Sequence, residues 1–326
     1  MIITRTPFRI SFVGGGSDMP DYYRHHDGAV LSVAIDKYMY LSTHPHFEPA
    51  QTVVKYSQTE KVSSIDSIQH PIVREALRLL GIPGGLEISS NADIPSGTGL
   101  GSSSAFTVGL LQNLYAHLGI HASKNRLAAD ACRIEIEILK EPIGKQDQYA
   151  SASGGMNVIR FLGDETVRVE PVILNRARRE ALQERLVMFY LGSQRSAADV
   201  LTDQKKNLES SQKRAILEEM VSLVEPAHQT LMEGDLADFG RLLHRNWELK
   251  QKLSDKVSNQ VINAWYAKAM EAGAIGGKLL GAGGGGFLLF YREPEIARHL
   301  ESALAPLRPI PFRFDHQGSS VIYVDA

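Results

Sequence analysis

The chain has 326 residues, and its 35 Lys+Arg against 37 Asp+Glu give a formal net charge of −2. Hydrophobic residues make up 43% and charged residues 22%, the proportions of a globule with ample material for a core. That balance excludes disorder, collagen and coiled coil as dominant descriptions, and it provides no global attraction for nucleic acid or an acidic membrane.

The length predicts two domains, or one large one. Cys132 is the one cysteine, which excludes an intramolecular disulfide and a cysteine-cluster metal site. The segment MIITRTPFRISF has no apolar stretch long enough for a signal peptide, and no run approaches the ~20 apolar residues of a membrane span. A cytoplasmic location is therefore the expectation.

In chain order, Phe8, Ile10 and Phe12 alternate with Arg9, Ser11 and Val13, which predicts a strand. Further strands are expected at Ala29–Ile35, Tyr38–Thr43, Thr52–Tyr56 and Leu86–Ser90, with a short helix over Pro71–Leu80. Phe106, Leu110, Leu111, Leu114 and Leu118 predict a helix from Gly101 to Gly119. A second helix is expected over 123–140, with Leu127, Ala131, Ile134 and Ile138 as its buried face. Asn157–Phe161 and Thr166–Glu170 read as a hairpin, and the charged stretch Asn175–Glu184 as a linker. A strand at Leu186–Leu191 precedes helical periodicity over 197–272, broken near Pro226 and Gly234. Strand, helix, strand and strand then close the chain from Gly286 to Val324. The pattern is α+β, with domains at 1–180 and 181–326.

Nearly half of the 28 glycines fall in three short segments: Gly14–Gly16, Gly97–Gly101 and Gly276–Gly286. The middle one, Ile94-Pro-Ser-Gly-Thr-Gly-Leu-Gly-Ser-Ser-Ser-Ala105, is the most informative. Pro95 fixes an entry turn, and the glycines at 97, 99 and 101 let successive N–H groups point into one concavity. The positive end of a helix follows at once, so the segment reads as a polyphosphate cradle. Ser102, Ser103 and Ser104 are able to donate to phosphate oxygens, or one of them to ligate Mg²⁺. The spacing matches neither a P-loop nor a dinucleotide fingerprint.

The stretch from Pro95 to Ala105 resembles the ATP-binding motif of the GHMP kinases, the superfamily of galactokinase, homoserine kinase and mevalonate kinase. Pro7-Phe-Arg-Ile-Ser-Phe-Val-Gly-Gly-Gly-Ser-Asp18 is similar to the N-terminal motif of that superfamily, and Lys278–Phe287 to its C-terminal glycine motif. The resemblance implies a ribosomal-protein-S5-like N-terminal domain and a ferredoxin-like C-terminal domain, with ATP and Mg²⁺ as cofactors. It implies ATP contacts from Pro95, Gly97, Gly99, Leu100, Gly101 and Ser102–Ser104. Gly144-Lys-Gln-Asp-Gln-Tyr149 resembles the segment whose aspartate faces the substrate hydroxyl, which points to Asp147. Arg9 takes the basic place of the N-terminal motif and would help neutralise the transferring phosphoryl group. Ser103 matches the metal-ligating serine. Counting back from Pro142 places the Mg²⁺-binding glutamate at Glu135, with Glu137 as the neighbour that helical geometry must separate from it.

Galactokinases carry Gly-Glu-His-Thr-Asp in the N-terminal motif, where this chain has Gly14-Gly15-Gly16-Ser17-Asp18. This form resembles that of the D-glycero-D-manno-heptose 7-phosphate kinases, as do Lys140–Ala150 and Gly192–Ala197. It implies phosphorylation of a C1 hydroxyl, with Gly15, Gly16, Ser17, Asp18, Asp147, Gly283 and Gly284 around the substrate. The partner implied is thus a sugar phosphate, with neither nucleic acid nor membrane. Arg195 is the leading cation for a distal phosphate, and Lys145 and Arg24 are the others. Fucokinase- or galactokinase-like activity is the near alternative, and a non-catalytic sugar and ATP sensor is the alternative of another class.

Overall fold

The computed structural model describes residues 1–192, 202–203 and 210–325. An eight-stranded sheet forms the N-terminal half. Its centre is β1 (Ile2–Val13) against β2 (Gly28–Pro45), antiparallel. The two expected runs at 29–35 and 38–43 are one strand. They are joined through a bulge at Asp36 and Lys37, where the register steps opposite Pro7 and Phe8. Pro7 has no N–H to give to a regular ladder, so the bulge sits where a bond would be missing. β2 is long enough to pair first with β6 (Met156–Phe161) and then with β5 (Leu86–Ala92). β3 (Thr52–Lys55), β4 (Thr59–Val62) and β7 (Val167–Pro171) complete the edges, with β3 parallel to β5.

After a single turn, α1 (Pro20–Tyr23), and the short α2 (Pro71–Leu79), α3 (Ser102–His117) packs on β1 and β2. The second predicted helix is α4 (Lys124–Cys132), continued by a π-helical stretch over Arg133–Ile138. The wide turn changes which residues face inward. Ile134 and Glu135 are both buried, while Ile138, expected on the buried face, is 41% exposed. α5 (Gln146–Ser153) follows, unforeseen from periodicity.

The charged stretch read as a linker is a helix, α6 (Arg176–Arg185). Asn175 caps it by accepting from the Arg178 N–H, and Leu182 is fully buried. Arg176, Glu180 and Glu184 are exposed, which is why composition suggested a linker, while Arg178 turns back to donate to the Thr230, Leu231 and Gly234 carbonyls. β8 (Leu186–Tyr190) then enters a four-stranded sheet of order β11-β8-β10-β9, built with β9 (Gly276–Leu279), β10 (Phe287–Tyr291) and β11 (Arg308–Ile310). α7 (Ser211–Ser222), α8 (Val224–Met232), α9 (Leu236–Gln251), α10 (Gln260–Glu271) and α11 (Ala297–Ala303) accompany it. The break expected at Pro226 falls at Leu223. Pro226 lies in the first turn of α8, where a missing N–H costs nothing.

Alternation along β10 divides the core. Phe287, Leu289 and Tyr291 join the large cluster shared with the N-terminal half, while Leu288 and Phe290 join a second cluster around Trp247 and Tyr266. Phe12 meets Phe239 edge-on at 5.1 Å across the two halves. The last strand, β12 (Ser320–Val324), returns to pair with β1.

Candidate active site

A cavity of about 970 Å³ opens where the three glycine segments meet. β1 presents Phe8, Ile10 and Phe12 to the core and turns Arg9 and Ser11 to the cavity. Arg9, 4% exposed, forms a bidentate pair with Asp147: Nε donates to Oδ1 and Nη2 to Oδ2, both at 2.8 Å. Its Nη1 donates to the Gly99 carbonyl at 2.7 Å. One guanidinium thus joins the first turn of α5 to the glycine loop.

The loop itself runs through Gly97, Gly99 and Gly101 at φ of +73°, +86° and +77°. Gly101 opens α3 without a side-chain cap, which leaves the first-turn N–H groups available to a ligand. Pro95, Gly97, Gly99, Gly101 and Ser102–Ser104 line the cavity, and a Cβ on Gly101 would stand 3.1 Å from Asp147 Oδ2. Leu100 does not line it. Its side chain is fully buried, and its carbonyl accepts from the Arg9 N–H, so it anchors the loop from behind.

The π-helical stretch delivers Glu135, not Glu137, beneath the loop; Glu137 is exposed. Ser103 Oγ donates to Glu135 Oε1 at 2.9 Å and Gln148 Nε2 donates to Oε2 at 2.8 Å. Burial raises the Glu135 carboxyl from 4.5 to about 7, with the Asp147 charge adding to the shift and the Gln148 and Ser103 hydrogen bonds opposing it. A buried carboxylate beside a hydroxyl, with no cationic side chain as partner among the described residues, is the oxygen donor set that Mg²⁺ takes. The residues present therefore fit that ion. Among the described residues there is no cluster of three or more His, Cys, Asp and Glu, and Mg²⁺ shared with phosphates needs none.

Gly15, Gly16 and Asp18 line the cavity next to this pair. Asp18 accepts from the Gly16 N–H, the Gln146 N–H and Gln146 Nε2. Burial, and then the Asp147 charge, raises its carboxyl above the usual range, while the backbone N–H groups of Gln146 and Gly16 oppose the shift. Ser17, expected at the substrate, instead locks the turn: its hydroxyl bonds the Gly14 and Ala29 carbonyls and it is fully buried. Gly283 and Gly284 are a second correction. Gly283 packs on the Val257 backbone and the Gly284 N–H donates to the Val257 carbonyl, leaving Gly281 and Ala282 on the lining. The two glycine loops pack on each other: Gly281 lies directly on Gly99, where a Cβ would be 2.3 Å from the Gly99 Cα. Lys145 and Arg24 both pair with Glu165, and neither lines the cavity. Arg195 lies outside the described residues. The Tyr22 and Tyr23 rings are buried packing, and Trp247 is core.

Several lining residues escaped the sequence reading. Lys250 and Lys278 are buried cations on the cavity wall. Lys250 continues the stripe Phe239, Leu243, Asn246 of α9, so a lysine at core spacing was the available signal. The far end of the cavity holds Tyr56, His70 and Phe106, with His70 stacked on Phe106 at 4.8 Å between centroids. Burial lowers the His70 pKa, so the imidazole is neutral at pH 7, and with the Tyr56 and Phe106 rings it gives this part of the cavity an aromatic lining.

Residues 69–155 match the family model described as the GHMP kinases N terminal domain, and residues 227–305 that of the GHMP kinases C terminal. The chain is 29% identical over 320 residues to the D-glycero-alpha-D-manno-heptose 7-phosphate kinase of Campylobacter jejuni, covering 93% of each chain. It is 25% identical to the galactokinase of Pyrococcus furiosus, over 93% of this chain and 92% of that one. A crystal structure of a D-glycero-D-manno-heptose 1-phosphate kinase from Bacteriodes thetaiotaomicron superposes over both whole chains with a TM-score of 0.80 at 24% identity, a likeness of fold. With both halves of the two-domain fold matched in order around one cradle, the chain belongs to the GHMP kinase family and is a phosphotransferase with an alcohol group as acceptor.

Proposed function

We propose that this enzyme phosphorylates the C1 hydroxyl of D-glycero-D-manno-heptose 7-phosphate with ATP, giving the 1,7-bisphosphate used for nucleotide-activated heptose of surface polysaccharide. The observation that carries the reading is the Arg9–Asp147 pair set against the glycine cradle inside one cavity. In it, Asp147 accepts the proton of the sugar hydroxyl as its oxygen bonds the terminal phosphorus of ATP and the bond to the bridging oxygen breaks. Arg9 fixes the carboxylate's plane and, through Gly99, its distance from the cradle. Ser103 and Glu135 would hold Mg²⁺, which when bound offsets charge on the phosphates. Asp18, held by Gln146, and the bare backbone at Gly15 and Gly16 form the sugar end. The Tyr56, His70 and Phe106 end takes the adenine. Two units, 1–180 and 181–326, with β12 returned to the first, and a cytoplasmic location belong to the same reading.

The heptose assignment is supported by the Gly14–Asp18 motif and by the Campylobacter jejuni relative. Gly15 and Gly16 stand where a galactokinase has Glu and His, so galactose meets too few partners here. ADP release against fucose, galactose, mannose, heptose and heptose 7-phosphate tests the reading. Preference for heptose 7-phosphate is expected. Preference for fucose or galactose would keep the kinase and discard the heptose, and nucleotide binding without turnover of any sugar would mark a sensor. Arg195→Ala tests the distal phosphate contact, through a raised KM for the phosphorylated sugar alone.

A further inference from the structure

Three buried cations converge on the phosphate end of the cavity, and two of them have evident work. Arg9 is committed to Asp147 and Gly99. Lys278, 2% exposed, donates to the Ser11 and Phe12 carbonyls at 2.8 and 2.7 Å, which clips β9 to β1. Lys250 is different. It is 8% exposed and lines the cavity; among the described residues its acceptor is the Gly281 carbonyl, and no carboxylate stands within ion-pair distance. Burying an ammonium beside two other cations is unfavourable unless an anion offsets it. Burial, followed by the Arg9 charge, lowers its pKa to about 8, with Asp18 and Asp147 opposing. Core packing on α9 has no use for that charge, and Lys250 lines the same cavity as the cradle residues Gly97, Gly99 and Gly101.

We propose that Lys250 meets the transferring phosphoryl group. This rests on the kinase reading and adds a catalytic residue from the C-terminal half. As the bond to the bridging oxygen breaks and the bond to the sugar oxygen forms, the Lys250 ammonium donates to a non-bridging phosphoryl oxygen. It keeps its own proton, since the alcohol proton goes to Asp147. Gly281 links the two events in space, because its carbonyl holds Lys250 while its Cα rests on Gly99 of the cradle.

The test compares Lys250→Met and Lys250→Arg with the wild type, in ADP release with heptose 7-phosphate and with unphosphorylated heptose, and in calorimetric binding of ADP and a non-hydrolysable ATP analogue. The expected result for Lys250→Met is a kcat about 10²-fold lower with both acceptors, as for loss of one preorganised donor. Sugar KM is expected to stay within about threefold, and the preference for the ATP analogue over ADP to shrink. Lys250→Arg recovers part of both. A raised KM for the phosphorylated acceptor alone would overturn the proposal by giving Lys250 to that sugar's own phosphate. An unchanged kcat and an unchanged analogue preference would also overturn it. If Lys250→Met does not melt cooperatively, Lys250→Arg carries the binding comparison. If the wild type turns over no sugar, the kinase reading has failed and the nucleotide preference alone still decides on Lys250.

Discussion

Replacing Glu135 by glutamine removes a titrating charge from the most buried acidic position of the site. The carboxyl moves from 4.5 to about 7. At about 1.4 kcal/mol per unit, ionising it in the folded protein costs about 3 kcal/mol in the absence of a cation. The folded chain holds this proton where the unfolded chain has lost it, so the stability contribution is complete below 4.5 and is lost as pH rises through about 7. For a chain of this length, that loss lowers the melting temperature by about 4 °C. Glutamine keeps the local bonds: its oxygen accepts from Gln148 Nε2, and its NH₂ donates to Ser103 Oγ, whose hydroxyl rotates to suit.

In EDTA, the wild type is therefore expected to lose stability from pH 5 to 7.5 relative to Glu135→Gln, and Glu135→Gln to be the more stable of the two at pH 7.5. Adding Mg²⁺ and ADP at pH 6 should release close to one proton in the wild type and none from this position in the variant, read by calorimetry in buffers of different ionisation enthalpy. Parallel pH profiles, or a variant less stable than the wild type at pH 7.5, would refute the buried-carboxylate reasoning. A variant that needs no more Mg²⁺ for turnover would refute the metal role while leaving the electrostatics intact.

Asp147→Asn is expected to lower turnover by about 10²-fold or more, with nucleotide binding retained in equilibrium dialysis, because the amide keeps the shape but accepts no proton. Near wild-type activity would leave positioning as the residue's whole role. Ser11 Oγ and Gln146 Oε1 are buried without partners and both face Gly15. Ser11→Ala should therefore cost no stability and raise the sugar KM roughly tenfold, the worth of one hydrogen bond; an unchanged KM would remove Ser11 from the sugar end. Gly99→Ala places a Cβ 2.5 Å from the Leu280 carbonyl at φ +86° and should cost roughly 2 kcal/mol or more, whereas Gly81→Ala, at φ +66° with nothing within 4 Å, should cost only about 1. Equal melting temperatures for the two would refute the close-contact account.

What the sequence disclosed followed residue type. A left-handed backbone needs glycine, so Gly97, Gly99 and Gly101 advertised the cradle, and the apolar stripe from Phe106 to Leu118 advertised the helix behind it. Period and composition failed where tertiary structure changed the local rule. A π-helical turn decided Glu135 over Glu137, and no 3.6-residue pattern contains it. The single strand β2 looked like two because a polar bulge interrupts it. The helix α6 looked like a linker because one leucine, Leu182, carries its burial. Lys250 was hidden because lysine is read as surface by default, although its spacing from Phe239, Leu243 and Asn246 placed it inward.

The third glycine segment shows why the two halves act as one site. Gly281 excludes any side chain because Gly99 lies against it, and Gly286 does the same against the Thr98 carbonyl. The cradle is thus seated on the C-terminal sheet by backbone contact, not across an open gap. Phe12 and Phe239 close the core behind it, and β12 ties the end of the chain to β1. With that seating fixed, charges from both halves reach one volume: Arg9 and Asp147 from the first, Lys250 and Lys278 from the second. Electrostatic stabilisation of a phosphoryl group depends on donors held in place before the charge develops. A floor of glycines packed backbone to backbone meets that requirement, because it leaves no side chain free to relax between the Gly97–Gly101 loop and the cations that line the same cavity.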